Sequence, residues 1–149
     1  MLPYIHLLTS IIAIIFLFPI YKYLSLAFLI GGFLIDFDHY LWWVIERRKY
    51  NPIKCYKELI EESKKNNEYF KSIKKRPFYV NFDKLHIFHV WEFWILMILL
   101  SFIHKFFLII TLGIFFHLAL DFAEMFYNRV YGQRAISFFY WLKRTKLKE

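Results

Sequence analysis

The segment that most constrains this chain is residues 106–128, FFLIITLGIFFHLALDFAEMFYN, which is apolar enough to cross a bilayer yet carries His117, Asp121, Glu124 and Asn128. A helix advances about 100° per residue, so these four side chains fall within roughly 60° of one another. They form a single polar stripe on an otherwise apolar surface. An ionisable group near the bilayer centre costs about 2.5 kcal/mol or more, so such residues face a bundle interior and find partners there. The stripe therefore predicts polar partners on other helices.

The chain has 149 residues, of which 59% are hydrophobic and 23% aromatic. Its length predicts one domain, 1–149, and its long uncharged runs predict a membrane protein. The net charge of +8 does not call for nucleic acid, because bases placed beside membrane spans follow from the positive-inside rule. The single Cys55 excludes an intrachain disulfide and a Cys-rich metal site. The opening MLPYIHLLTS has no base before its apolar run and no small-residue cleavage signature. It is expected to be a retained span, not a signal peptide.

Four apolar runs, 4–20, 24–45, 85–103 and 106–128, predict an all-α polytopic fold, a bundle of four transmembrane helices. Between the second and third, residues 46–84 are rich in bases. There Ile53, Tyr56 and Ile60, then Phe70 and Ile73, recur at helical spacing, which predicts amphipathic surface helices. The tail, 129–149, sets aromatics beside bases and reads as an interfacial helix. Lys22 and Lys105 occupy the short turns, while the other eighteen of the twenty bases lie in the 46–84 loop or the tail. Four spans with both basic regions inside predict a multi-pass cell-membrane protein with cytoplasmic N- and C-termini.

That orientation gathers polar residues at one depth. Asp36, Asp38 and His39 fall in the inner half of the second span, His86, His89 and Glu92 in the first two turns of the third, and His117, Asp121 and Glu124 near the inner end of the fourth. His6 lies one turn into the first span, so five of the six histidines share the cytoplasmic side. Imidazoles and carboxylates together suit Zn, Mn or Fe. Asp36 and His39, and His86 and His89, are three apart, and His117 and Asp121 four apart, so each pair can share a helical face. Asp38 cannot join that face in a regular helix; either the helix unwinds at 36–39 or Asp38 points elsewhere. Gly31 and Gly32 permit close helix approach one turn earlier. Glu92 and Glu124 are candidates for supporting a metal-bound histidine. The plainer readings are an inter-helix hydrogen-bond network for the pairs, an interfacial residue for His6, a turn residue for His104, and packing for Trp42, Trp43, Trp91 and Trp94.

The motifs YIHLL at His6, FLIDFDHY at Asp36, Asp38 and His39, LHIFHVWEFW at His86 and His89, and FFHLALDF at His117 and Asp121 stand in that order along the chain. In order and content they resemble the YdjM-like family of membrane-bound metal-dependent hydrolases. That family carries an early His, Leu-Pro-Asp-Ile-Asp-His, a central His-Arg-Gly-x-Thr-His-Ser, and a late His-x-x-x-Asp. The resemblance covers roughly residues 4–125 without the basic loop. It departs at the third motif, where Arg-Gly and Thr-Ser are missing and the histidines are three apart instead of five; Ile35 replaces the usual Pro. It implies a hydrolase whose metal ligands match His6, Asp36, Asp38, His39, His86, His89, His117 and Asp121.

The leading expectation is a metal-dependent hydrolase acting at the cytoplasmic face on a lipid-linked or membrane-proximal ester, foremost a phosphoester. One or two divalent ions, Zn first and Mn or Fe as alternatives, would activate water. Glu92 or Glu124 would act catalytically by taking its proton, and loop bases would attract an anionic headgroup. The partners expected are membrane lipids. A di-iron oxidase is a second reading, since Asp36-x-x-His39 has di-iron-bundle spacing. A divalent-cation or proton carrier, or a purely structural polar network, is a third.

Overall fold

The computed structural model describes residues 3–72, 85–128 and 137–146, and every element among them is helical. Helix α1 (Pro3–Tyr21) buries His6, Ser10 and Ile14 at four-residue spacing and exposes Leu8, Ile15 and Phe16. Polar side chains inside and apolar ones outside invert the pattern of a helix that meets water. Lys22 then takes a left-handed φ of 48° and starts a 3-10 segment, Lys22–Ala27. From there α2 (Phe28–Gly32) packs on α1 and most closely on α6 (Lys105–Asn128). That approach is backbone to backbone. A Cβ at Gly31 would lie 2.1 Å from the Ile110 carbonyl oxygen, and one at Gly113 would lie 2.5 Å from that of Phe28. Ile109, Ile110 and Ile114 form the core around this contact.

The second apolar run is not one regular helix. Phe33, at φ −133°, ends α2, a 3-10 turn spans Leu34–Asp36, and α3 (Phe37–Arg47) follows. The backbone does not unwind at 36–39 as one possibility had it: the irregular stretch is 33–36, and Asp38 lies in regular α3, turned to His86 and His89. Helix α3 closes on Arg48 at φ 52°, whose N–H donates to the Val44 carbonyl at 2.8 Å.

Helix α4 (Pro52–Ser72) realises the surface helix expected in the basic loop. The Asn51 side-chain oxygen caps it by accepting from the N–H groups of Ile53 and Lys54. Its inward face differs from expectation. Cys55 is buried and Glu58, Leu59 and the expected Ile60 are half-buried, whereas Ile53 and Tyr56 are exposed. The cause is the partner: Trp43 on α3 offers an indole N–H that donates to Glu58 at 2.9 Å, which turns a carboxylate inward and residues 53 and 56 out. The Phe70 side chain and Ile73 lie outside the described residues.

The third run also departs from a full span. His86 and Val90 are extended and flank a 3-10 turn, Ile87–His89, so α5 is confined to Trp91–Ser101. Eleven residues rise about 16 Å against a hydrocarbon thickness of roughly 30 Å. His86 and His89 therefore do not ride on one helical face; irregular backbone presents them. Thr111 ties α6 to α5 by donating to the Met97 carbonyl at 3.0 Å. In the tail, α7 (Phe138–Lys146) sets Trp141 edge-on against Trp42, ring centroids 6.3 Å apart. The rest of the tail, 129–136 and 147–149, lies outside the described residues. Among the described residues two helical stretches are long and apolar enough to cross a membrane, Pro3–Arg47 with its turn at Lys22, and Lys105–Tyr127; Trp91–Ser101 is a shorter apolar helix.

Candidate metal centre

His117 and Asp121 are neighbours on the buried face of α6, one turn below the Gly113 contact. The His117 Nδ1 faces the Gly32 carbonyl oxygen at 3.1 Å. Because that oxygen can only accept, Nδ1 carries a proton, and Nε2 is the nitrogen turned toward the cluster. His89 is held the same way: Nδ1 lies 2.9 Å from Asp38 Oδ2, which also accepts from the Phe88 N–H at 3.1 Å. Each imidazole is thus fixed by one nitrogen and presents the other, the arrangement of metal-ligating histidines with a carboxylate or carbonyl behind them.

The two presented nitrogens meet. His89 Nε2 and His117 Nε2 are 3.3 Å apart. Asp36 Oδ1 lies 3.4 Å from His117 Nε2 and 3.7 Å from His89 Nε2, while Asp121 Oδ2 lies 3.5 and 4.0 Å from the same atoms. Four donors about 2.0–2.1 Å from a tetrahedral zinc would be about 3.3 Å apart along each edge. The five spacings run from 3.3 to 4.0 Å, from that value to about 0.7 Å above it. Asp36 is free for this role because, although it stands at the N-cap of α3, its side chain makes no capping hydrogen bond.

The remaining expected ligands surround this centre. His6 is fully buried, its Nε2 3.2 Å from Asp121 Oδ1 and its ring stacked on His117 at a centroid distance of 3.9 Å. It belongs to the cluster and not to the membrane surface. His39 Nε2 lies 3.5 Å from Asp36 Oδ1, and its ring contacts that of His86 at 3.9 Å. His86 Nδ1 lies 3.7 Å from Asp38 Oδ1. Four sets of three residues, His6–Asp36–His117, Asp36–His39–His89, Asp38–His39–His86 and His89–His117–Asp121, each bring their ligand atoms within 4.8 Å of one another. All eight residues singled out as ligands take part, and these buried His/Asp groups can hold a metal ion. Three carboxylates gathered with five imidazoles form a largely buried polar cluster, which a cation would compensate.

Glu92 and Glu124 belong to none of these sets among the described residues. The Glu92 carboxylate serves the tail instead. It accepts from the Ser137 hydroxyl and from the N–H groups of Phe138 and Phe139 at 3.1 and 3.4 Å, capping α7. Glu124 is half-buried one turn beyond Asp121, and the Asn128 side chain lies outside the described residues. His104 is a turn residue, its Nδ1 accepting from the Phe106 N–H at 3.1 Å.

Two cavities adjoin the ligand-bearing segments. One, of about 490 Å³, is walled by His39, His86, Trp42, Trp43, Glu58 and Glu62. The other, about 430 Å³, is apolar and takes Ile35, Phe37 and Phe88, the chain neighbours of Asp36 and His89, together with Phe93, Ile110 and Ile114. Sequence reasoning did not anticipate the Gly32 carbonyl, the Phe88 N–H or the tryptophan wall. Only the unwinding at 33–36 exposes that carbonyl, and nothing in residue spacing signals it. Compared with known proteins, the chain matches no family model, no curated protein and no solved structure.

Proposed function

We propose that this chain is a multi-pass membrane protein that hydrolyses a lipid-linked or membrane-proximal ester, foremost a phosphoester, with one or two divalent ions held by the His/Asp cluster. The observation that carries the reading is the meeting of His89 Nε2 and His117 Nε2 at 3.3 Å beside Asp36 and Asp121. One nitrogen of each ring is held by a fixed acceptor, so the other two nitrogens and the carboxylates converge on one point. A cation relieves that convergence, and donors of this class select zinc or a similar borderline ion. The motif order that resembles the YdjM-like hydrolases supports the same chemistry.

An ion bound there supplies Lewis acidity to an ester oxygen and lowers the pKa of water. The chain's own residues do the rest. Asp38 and the Gly32 carbonyl orient the two imidazoles, and His39, about one-third exposed, borders the way in from the larger cavity. Hydrolysis forms one bond from water oxygen to the phosphorus or acyl carbon, breaks the ester bond, and delivers a proton to the departing alkoxide. With Glu92 committed to α7, Glu124 is the proton acceptor this reading assigns. The apolar cavity beside Asp36 and His89 suits a substrate with a hydrocarbon part.

The reading takes all four apolar runs as membrane segments, the second broken and the third short, with the 46–84 loop and the tail on the cytoplasmic side. The apolar outer faces of α1 and α6 support immersion. The test is His117→Ala on purified protein, with bound metal measured by elemental analysis and hydrolysis by product release. Both should be lost. Stoichiometric metal retained in the variant would sink the proposal, and a wild-type protein that binds no metal would identify the cluster as a structural polar network.

A further inference from the structure

The larger cavity differs from the anion-attracting surface that the basic loop led us to expect. Among the described residues its lining carries four glutamates, at 46, 58, 61 and 62, and three bases. Their placement matters more than their number. Arg47, Lys49 and Lys65 are exposed at the rim, whereas Glu58 and Glu62 are half-buried beside Trp42 and the buried Trp43. Trp43 is anchored by its bond to Glu58, and Trp42 is held edge-on by Trp141. Rigid indole rings beside carboxylates suit a cation, a quaternary or primary ammonium above all, because the ring face is electron-rich and the carboxylates supply opposite charge.

The same cavity reaches the metal cluster through His39 and His86. We propose that it receives the ammonium-bearing headgroup of a zwitterionic phospholipid, whose phosphoester then lies at the cluster. This rests on the hydrolase reading for the identity of the bond and adds which lipid class presents it. The ammonium lies between Trp42, Trp43 and the half-buried glutamates. The phosphate, bearing the opposite charge, faces the cluster, where a bound cation draws it. An anionic headgroup without an amine brings no positive charge to the carboxylates and loses the cation contact with the indoles.

Dodecylphosphocholine and dodecyl ethyl phosphate, both singly charged phosphodiesters, share a tail and differ in the trimethylammonium group. Titrated into metal-loaded, detergent-solubilised protein and followed by tryptophan fluorescence, the phosphocholine compound should bind about tenfold more tightly, as one cation–π contact with charge support would give. Glu62→Gln should cut that preference severalfold. Glu61→Gln, at an exposed position where folding is not at stake, should cut it less. Equal binding of the two compounds, or a preference unchanged in both variants, overturns the inference. Vesicles of phosphatidylcholine and of phosphatidylglycerol separate it from the reading beneath. Cleavage of both at equal rates removes the headgroup preference and leaves the hydrolase. Selective phosphocholine binding with neither lipid cleaved keeps the ammonium site and removes the hydrolase.

Discussion

His89 and His117 reach the same point from different backbones, one from a 3-10 turn and the other from an unbroken helix. What makes them equivalent is the acceptor behind each ring, Asp38 for His89 and the Gly32 carbonyl for His117. Replacing Asp38 by Asn keeps the shape but removes the charge that strengthens the imidazole as a donor. Metal affinity measured by chelator competition should then fall roughly 10–100-fold, the usual cost of losing such a partner. An unchanged affinity would mean that His89 is not a ligand. Glu92 shows how far residue type alone misleads. Its place among the histidines of the third run made it a candidate base, yet the N–H groups of Phe138 and Phe139 hold its carboxylate at the start of α7.

Between elements, the contact that sets the site is the crossing of α2 and α6. His117 stands one turn past Gly113, and its ring partner, the Gly32 carbonyl, sits at the end of α2. An added methyl at Gly113 would meet the Phe28 carbonyl oxygen at 2.5 Å and the Gly32 nitrogen at 2.8 Å, both backbone atoms that cannot swing aside. Gly113→Ala should therefore separate the helices, lower stability by about 1–3 kcal/mol, and weaken metal binding although it touches no ligand. Thermal unfolding in detergent, with and without added zinc, measures both effects; a midpoint equal to wild type would refute the close crossing. The sequence pointed to small residues at Gly31 and Gly32. Their partner on α6 could not be paired from spacing, because the crossing angle and register are set by packing.

Over the whole molecule, the basic loop and the cluster lie on connected surfaces. The basic loop carries α4, α4 walls the larger cavity, and that cavity opens onto His39 and His86. If the loop is cytoplasmic, the cluster faces the cytoplasm. Alkaline phosphatase fused after Glu149 should then be inactive, and the same reporter placed in the turn at His104 should be active. The opposite pattern would put the site on the far face of the membrane.

Segregation of apolar runs from bases, together with histidine and aspartate placed within those runs, determined from sequence alone that the chain is helical, which residues are candidate ligands, and that those ligands lie near one another. These properties follow from local chemistry: a polar group within an apolar stretch must find company. Tertiary structure decided how the company is arranged. It broke the second run at Phe33 and shortened the third to α5, and the irregular backbone on either side presents Asp36 and His89 to the same cluster. It also took Glu92 from the cluster for α7 and turned Trp42 and Trp43 toward the cavity. Those outcomes depend on which surfaces meet in three dimensions, and residue spacing along one chain does not carry that information.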